Sequence, residues 1–228
     1  MVVAIIGVAV IGYLVTNNSR KTLVVDPAVP PGPAEGYLIG TADAPVQVME
    51  FGDFECPGCG QFATVTEPDV RIRLVNTGMV AFRFFDYPLN IHRNTWAAHN
   101  AAACANDEGK FWEMHDRIFE TQDEWNGIAT SNPKKVLKRL AGEVGLNLDT
   151  WEKCYDTQRH ASRIRGNEAE AMRRNVSSTP TFVIGDKQVP GKLSYDEFKA
   201  YVDSALVKAQ KAAAAPAKAP EAKKGAKP

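Results

Sequence analysis

The sequence has no excess of charge of either sign. Over 228 residues, 27 basic side chains face 27 acidic ones, and the formal net charge is zero. No global field draws a polyanion to such a chain, so nucleic acid and strongly acidic substrates are excluded as expected partners. Cysteine is scarce, four in all, and only Cys56 and Cys59 stand close enough together to read as a motif. Cys104 and Cys154 have no second C-x-x-C and no H-x₃₋₅-H run beside them, so the second ligand pair of a structural zinc site is missing. No metal is expected. Long apolar runs are also lacking: the longest, MVVAIIGVAVIGYLV, is fifteen residues, short of the ~20 that a spanning helix needs. No basic n-region precedes it and no A-x-A-like cleavage site follows. No internal repeat is apparent.

What is present is ordinary for a globular protein: 44% hydrophobic and 24% charged residues, enough for one domain with a substantial core. The N-terminal run is long for a soluble start and suits a signal h-region or a clipped membrane anchor. Residues 1–18 are read as an uncleaved signal-anchor whose true start lies upstream, with a buried N-terminal element of a cytosolic protein as the alternative. Residues 19–36 contain DPAVPPGPAEG, a Pro-rich stiff spacer that would hold a folded unit off a membrane. Residues 211–228 carry five Lys and one Glu in an Ala/Pro/Lys composition. Such a tail cannot bury enough apolar surface to offset its ordering entropy, and is read as disordered. The layout is anchor, spacer, a domain over 37–210, and tail.

Within the domain, VQVMEFGDF has Val46, Val48 and, past a break, Phe51 on a strand that ends near Phe54. Phe62, Val65, Val70 and Leu74 follow at helical spacing, with Pro68 expected to kink or restart the helix and Gly78 to end it. MVAFRFFDYPL is a second strand, and strand, helix, strand implies a crossover and a parallel pair. Residues 92–175 read as helical throughout, one segment running from Asp149 toward Met172 and His92 serving as an ordinary polar residue at a helix start. The four tryptophans, Trp96, Trp112, Trp125 and Trp151, read as core or groove lining. TPTFVIGDKQVPG gives two short strands turning at Gly185-Asp186. Ser194 and Glu197 form a capping box for a last helix with Phe198, Tyr201, Val202 and Leu206 inward. The fold class is α/β, βαβ, then a helical block of about eighty residues, then ββα.

FECPGC stands where the first strand stops. Cys56 falls at the N-cap of the following helix, Pro57 at the first helical position, and Cys59 one turn on. Residues three apart face the same way, at a Cα separation of ~5–6 Å that suits a disulfide. Free N–H groups and the positive end of the helix favour a thiolate at Cys56, the expected attacking sulfur, with Cys59 resolving. Lowering a thiol from ~8.5 to ~5 stabilises its thiolate by roughly 5 kcal/mol, about 100 mV of two-electron potential. A purely structural Cys56–Cys59 bridge would close too small a loop to remove much unfolded-state entropy. Asp53 and Glu55 flank the pair and could relay a proton for Cys59, although acids before a helix are also ordinary. In SSTPTF, a proline opening a strand belongs at an edge or a special turn, where a cis bond is one way to fit it.

FGDFECPGC, FFDYPL, AAACANDEGKFWEMHDRIFETQ and SSTPTFVIG, in that order, resemble the DsbA-like thiol-disulfide oxidoreductases of the thioredoxin superfamily. The resemblance covers roughly residues 37–208. It implies a thioredoxin fold with a helical insertion, Cys56 as nucleophile, Cys59 as resolving cysteine, and Thr179-Pro180 as a cis-proline loop whose backbone binds substrate as an added strand. It further implies exported protein thiols as substrates, an extracytoplasmic location, a membrane redox partner that recycles the pair, and no cofactor. Family members carry cysteines near Cys104 and Cys154, so these are expected to form a structural disulfide, against the alternative of two buried free thiols. The Pro57-Gly58 dipeptide lacks the histidine of strongly oxidising members, and Thr179 precedes the proline as in reducing relatives. The direction of electron flow therefore stays open between oxidase and a reductase or isomerase fed by a membrane donor. A peptide-binding, chaperone-like module without redox turnover is the non-enzymatic alternative.

Overall fold

A computed structural model describes residues 23–214. The expected signal-anchor and most of the tail lie outside these residues. Among them no helix is long and apolar enough to cross a membrane. Five strands, β1 (Tyr37–Ile39), β2 (Val46–Gly52), β3 (Val80–Asp86), β4 (Thr181–Ile184) and β5 (Lys187–Pro190), form one sheet in the order β1-β3-β2-β4-β5. β2 and β3 are parallel, as the crossover demands, and the other pairings are antiparallel. The short edge strand β1 carries no clear alternation and was not expected.

The crossover, α1 (57–75), is helical throughout but irregular. Pro57–Gln61 and Glu67–Val70 are α-helical, whereas Phe62–Thr66 and Arg71–Val75 make wider π-type turns. Pro68 opens the second α-helical piece rather than breaking the helix. The wide turns put Phe62, Thr66, Val70 and Leu74 on the buried side and leave Val65, expected inward, 67% exposed. Phe62, Val70 and Leu74 pack with Val46, Val48, Phe82, Phe182 and Phe198 on one face of the sheet. Each such buried side chain contributes ~1.5–3 kcal/mol of apolar transfer. α8 (Tyr195–Ala214) covers the same face, entered through the expected capping box: Ser194 Oγ and the Ser194 N–H lie 2.7 and 2.9 Å from Glu197 Oε2. That helix runs four residues into the stretch read as tail.

The insertion between β3 and β4 is a set of short helices rather than a continuous block: α2 (Thr95–Ala105), α3 (Phe111–Glu120), α4 (Gln122–Trp125), α5 (Pro133–Glu143), α6 (Leu148–Thr157) and α7 (Ala161–Arg173). The helix expected to run from Asp149 to Met172 breaks at Gln158, which takes a left-handed conformation (φ 47°) and caps α6. Cys104 on α2 and Cys154 on α6 are disulfide-bonded, with Cα atoms 5.8 Å apart. Both lie in a core of Ala-rich α2, Trp125, Trp151 and Phe54. The Pro-rich stretch does not stand free from residue 24 on. Arg163 donates to Glu35 O, Ser162 Oγ to Pro30 O, and the Gly32 N–H to Ser162 O. Gly166 allows this strap to lie flat, because a Cβ there would meet Pro33 O at 2.6 Å.

Candidate active site

β2 ends at Gly52, and residues 53–56 turn the chain into α1. Cys56 is the N-cap, in extended conformation (φ −73°, ψ 122°), and Pro57 follows as the first helical residue, where its missing N–H has no partner to lose. Cys56 is 8% exposed and Cys59 fully buried. The Cys56 thiol is drawn down from 9 to about 5. A hydrogen bond from the Cys59 thiol is the largest cause, opposed by burial and helped by Thr179 and the N–H groups of Cys59 and Gly58. Cys56 Sγ lies 3.3 Å from Thr179 O, a contact only the thiol form can use as donor. The otherwise unpartnered Thr179 hydroxyl is left to serve the thiolate. Burial pushes Cys59 well above its ordinary value, and the neighbouring sulfur and Glu50 push the same way. The result is one thiolate and one thiol at neutral pH.

The Thr179-Pro180 peptide is cis, and its loop stands directly over the pair. Gly58 sits beneath it: a Cβ there would lie 3.3 Å from Pro180 Cδ and 3.7 Å from Cys56 Sγ. Beside Pro57 a cavity of about 360 Å³ is lined by Glu55, His92, Arg93 and Gln122 and bordered by Ile91 and Ile128, which are 84% and 99% exposed.

Asp53 and Glu55 are committed to holding the turn. Asp53 accepts hydrogen bonds from the N–H groups of Glu55 and Leu89 at 2.8 Å, from Thr95 Oγ1 at 2.5 Å, and pairs with His92 Nδ1 at 2.7 Å. Burial pushes its carboxyl up, but the His92, His99, Thr95 and Leu89 contacts outweigh that and hold it below the usual carboxylate range. Glu55 accepts from the N–H groups of Asn94 and Gly127 at 2.6 and 2.5 Å. His92 is thus not an ordinary residue at a helix start. It precedes α2, and its hydrogen bond to Asp53 raises its pKa. The Asp53 N–H points at Cys59 Sγ, 3.4 Å away.

The acid that sequence reasoning missed is Glu50. It is 1% exposed with Oε2 unpartnered. Burial pushes its pKa well above the ordinary value, as do the charge of Glu67 and, more weakly, Cys56, against Arg71. The signal was in the strand: alternation from Val46 and Val48 continues to position 50, so the apparent break is a carboxylate on the core-facing side.

The family model described as Thioredoxin matches residues 34–204. Among relatives, a Na(+)/H(+) antiporter, NhaA 3, of Salinispora tropica is 35% identical over 82% of this chain but only 27% of its own length. The chain thus spans about a quarter of such antiporters. Disulfide bond formation protein D of Bacillus subtilis is 27% identical over 74% of this chain and 76% of its own. Among solved structures, oxidised BdbD from Bacillus subtilis (TM-score 0.67, 26% identity) covers 78% of this chain and 98% of its own. Wolbachia pipientis alpha-DsbA1 (TM-score 0.70, 20% identity, 86% and 100%) shares the fold. The chain belongs to the thioredoxin family, and its fold is that of the BdbD and DsbA structures.

Proposed function

We propose that the chain exchanges disulfides with exported protein substrates through Cys56 and Cys59. The observation that carries this reading is the asymmetry of the pair, a Cys56 thiolate with a pKa of about 5 beside a buried, protonated Cys59. When a substrate is oxidised, its thiolate attacks Cys56 Sγ, the Cys56–Cys59 bond breaks, and Cys59 leaves with the electron pair. Cys59 then takes a proton, and Glu50 is the buried acid with a raised pKa that can supply it. A second substrate thiolate attacks the mixed disulfide and releases Cys56 as a thiolate, which is a good leaving group at that pKa. Reduction of a substrate disulfide is the same sequence reversed, with Glu50 accepting the proton. The Thr179-Pro180 loop would hold the substrate backbone beside Cys56.

The location proposed is extracytoplasmic, with residues 1–18 as tether and a membrane partner that recycles the pair. Support comes from the disulfide bond formation relatives. The Pro57-Gly58 dipeptide supplies no cation to the thiolate, which favours reductase or isomerase action as the second reading. The Cys56/Cys59 reduction potential decides between them. A value near about −120 mV supports an oxidase and one near about −270 mV a reductase. Insulin reduction and oxidation of reduced ribonuclease, measured alongside, test the activity itself, and a protein inert in both refutes the reading.

A further inference from the structure

Glu50 has no route to solvent of its own, and the polar atoms around it suggest one. It lies on the face of β2 that carries Val46 and Val48, the face packed on α1. Buried on α1 is Glu67, 1% exposed, whose Oε1 accepts from Arg71 Nε and Nη2 at 2.9 and 2.7 Å while Oε2 has no partner. His115 on α3 is fully buried, and its Nε2, also unpartnered, lies 3.9 Å from Glu67 Oε2. Its other nitrogen, Nδ1, lies 2.8 Å from Asp116 Oδ1. Asp116 is 40% exposed and lines, with Arg71, Pro68 and Phe119, a cavity of about 360 Å³ that no active-site residue borders.

Orphaned polar atoms are uncommon in a folded core, because each costs ~1–3 kcal/mol. Here Glu50 Oε2, Glu67 Oε2 and His115 Nε2 are all orphaned, and all three groups can carry a proton. Apolar residues at 67 and 115 would avoid that cost if packing were their only task. Arg71 fixes the chain of groups from the side, donating to Glu67 and, through Nη1 and Nη2, to both Asp116 oxygens at 2.8 and 2.7 Å. The rings of Phe54, Phe84, Trp112 and Phe119 enclose His115. The 3.9 Å gap between His115 and Glu67 closes to a hydrogen bond with a shift of about 1 Å.

We infer that Glu67 and His115 form a buried proton relay joining Glu50 to Asp116 at the surface cavity, which lets Cys59 exchange its proton while Cys56 is covered by substrate. This inference rests on the thiol-disulfide exchange proposed above. As the Cys56–Cys59 bond breaks, Glu50 gives its proton to the departing Cys59 sulfur. Glu67 Oε2 then passes a proton to Glu50, His115 Nε2 passes one to Glu67, and His115 Nδ1 recovers one from cavity water through Asp116, which burial pushes up but His115 and Arg71 hold below the ordinary carboxylate range, so that it carries the proton only in passing. One proton enters and one reaches Cys59. When Cys59 attacks the mixed disulfide, the proton leaves by the same groups. The charged and titratable groups facing these residues are Arg71, Cys56, Cys59 and, in the surface cavity beside Asp116, Glu120.

The test is the rate at which Cys59 resolves a mixed disulfide of Cys56 with glutathione, followed by stopped flow from pH 5 to 9 in H₂O and D₂O. In His115→Phe, which keeps a ring in the aromatic cage, resolution is expected to slow about tenfold, a modest share of general acid-base catalysis. The solvent isotope effect should rise while the reduction potential stays unchanged, because a relay changes rates and not equilibria. A purely structural role would instead move melting temperature and potential and leave the isotope effect alone. Should His115→Phe fail to fold, half-exposed Asp116→Asn carries the test, with slower resolution that added imidazole buffer restores. Wild-type rates and isotope effects in the folded variants would overturn the relay. Failure of the wild type to form the glutathione adduct at Cys56 would instead overturn the exchange reading.

Discussion

Raising the pH from 4 to 9 should lower the reduction potential of the Cys56/Cys59 couple along a line with a single bend, near pH 5. Below the bend both thiols of the reduced protein are protonated, so two protons accompany two electrons and the slope is about −59 mV per pH unit. Above it Cys56 is a thiolate while Cys59, pushed up by burial, stays a thiol, so one proton accompanies two electrons and the slope halves to about −30 mV. The sign follows from the depressed Cys56 value. Stabilisation of the reduced state is absent below pH 5, grows as pH rises, and is complete only above the ordinary thiol value of 9. Of the full ~5 kcal/mol, pH 7 therefore realises about half, ~2.7 kcal/mol or ~60 mV. The simple conversion to ~100 mV overstates the effect at neutral pH. Equilibration against glutathione buffers, with alkylation and mass measurement of the reduced fraction, gives the line. A slope near −59 mV persisting to pH 8 would refute the thiolate assignment. Thr179→Val, which removes the free hydroxyl beside Cys56, should move the bend upward.

Replacing Cys104 and Cys154 by Ser should cost about 4 kcal/mol, the entropy of closing a 50-residue loop. A urea midpoint equal to wild type would show the bridge to be idle. Gly166→Ala forces a Cβ against the backbone of the Pro-rich strap, so limited proteolysis should cut residues 24–36 faster, and unchanged cleavage would contradict the docked arrangement. The His92–Asp53 pair stabilises the folded state fully below the ordinary histidine value of 6.5, because His92 is raised, and this is lost as pH rises through its folded value. NMR titration of His92 should give a value above 6.5 that falls in Asp53→Asn, and an unshifted value in that variant would refute the pairing.

The two central strands, the helix carrying the cysteines and the closing ββα unit were readable because each is written in local pattern: alternation at Val46 and Val48, Pro57 after an N-cap, Ser194 three before Glu197; the edge strand β1 was not. The insertion read correctly as helical but not in its breaks. Gln158 ends a helix by adopting a left-handed conformation that its residue type does not announce. The exposure of Val65 was hidden for a related reason, since periodicity assumes 3.6 residues per turn and the wide turns of α1 depart from it. The role of His92 was invisible because its partner lies 39 residues away, and only tertiary structure brings Asp53 and His92 together.

Proximity to the cysteines made Asp53 and Glu55 attractive as proton carriers, yet a carboxyl buried away from water, as both are, needs an oxygen free to do so. Asp53 receives four hydrogen bonds and Glu55 two, so both are spent on fixing residues 53–56 against α2 and the loop at Gly127. That anchoring has its own effect on the chemistry. It fixes the Asp53 N–H that meets Cys59 Sγ and the path by which Cys56 reaches the N-cap, so the insertion helps set the geometry that divides the two sulfurs into thiolate and thiol. Glu50, by contrast, is buried with an unpartnered oxygen and a raised pKa, and its charge bears on both sulfurs. Replacing it by Gln should therefore slow the Cys59 step while leaving the first attack by Cys56 close to wild type. Asp53→Asn should disturb the Cys56 thiolate itself. If both variants slowed the same step equally, the division of labour between turn-holding and proton-carrying acids would be wrong.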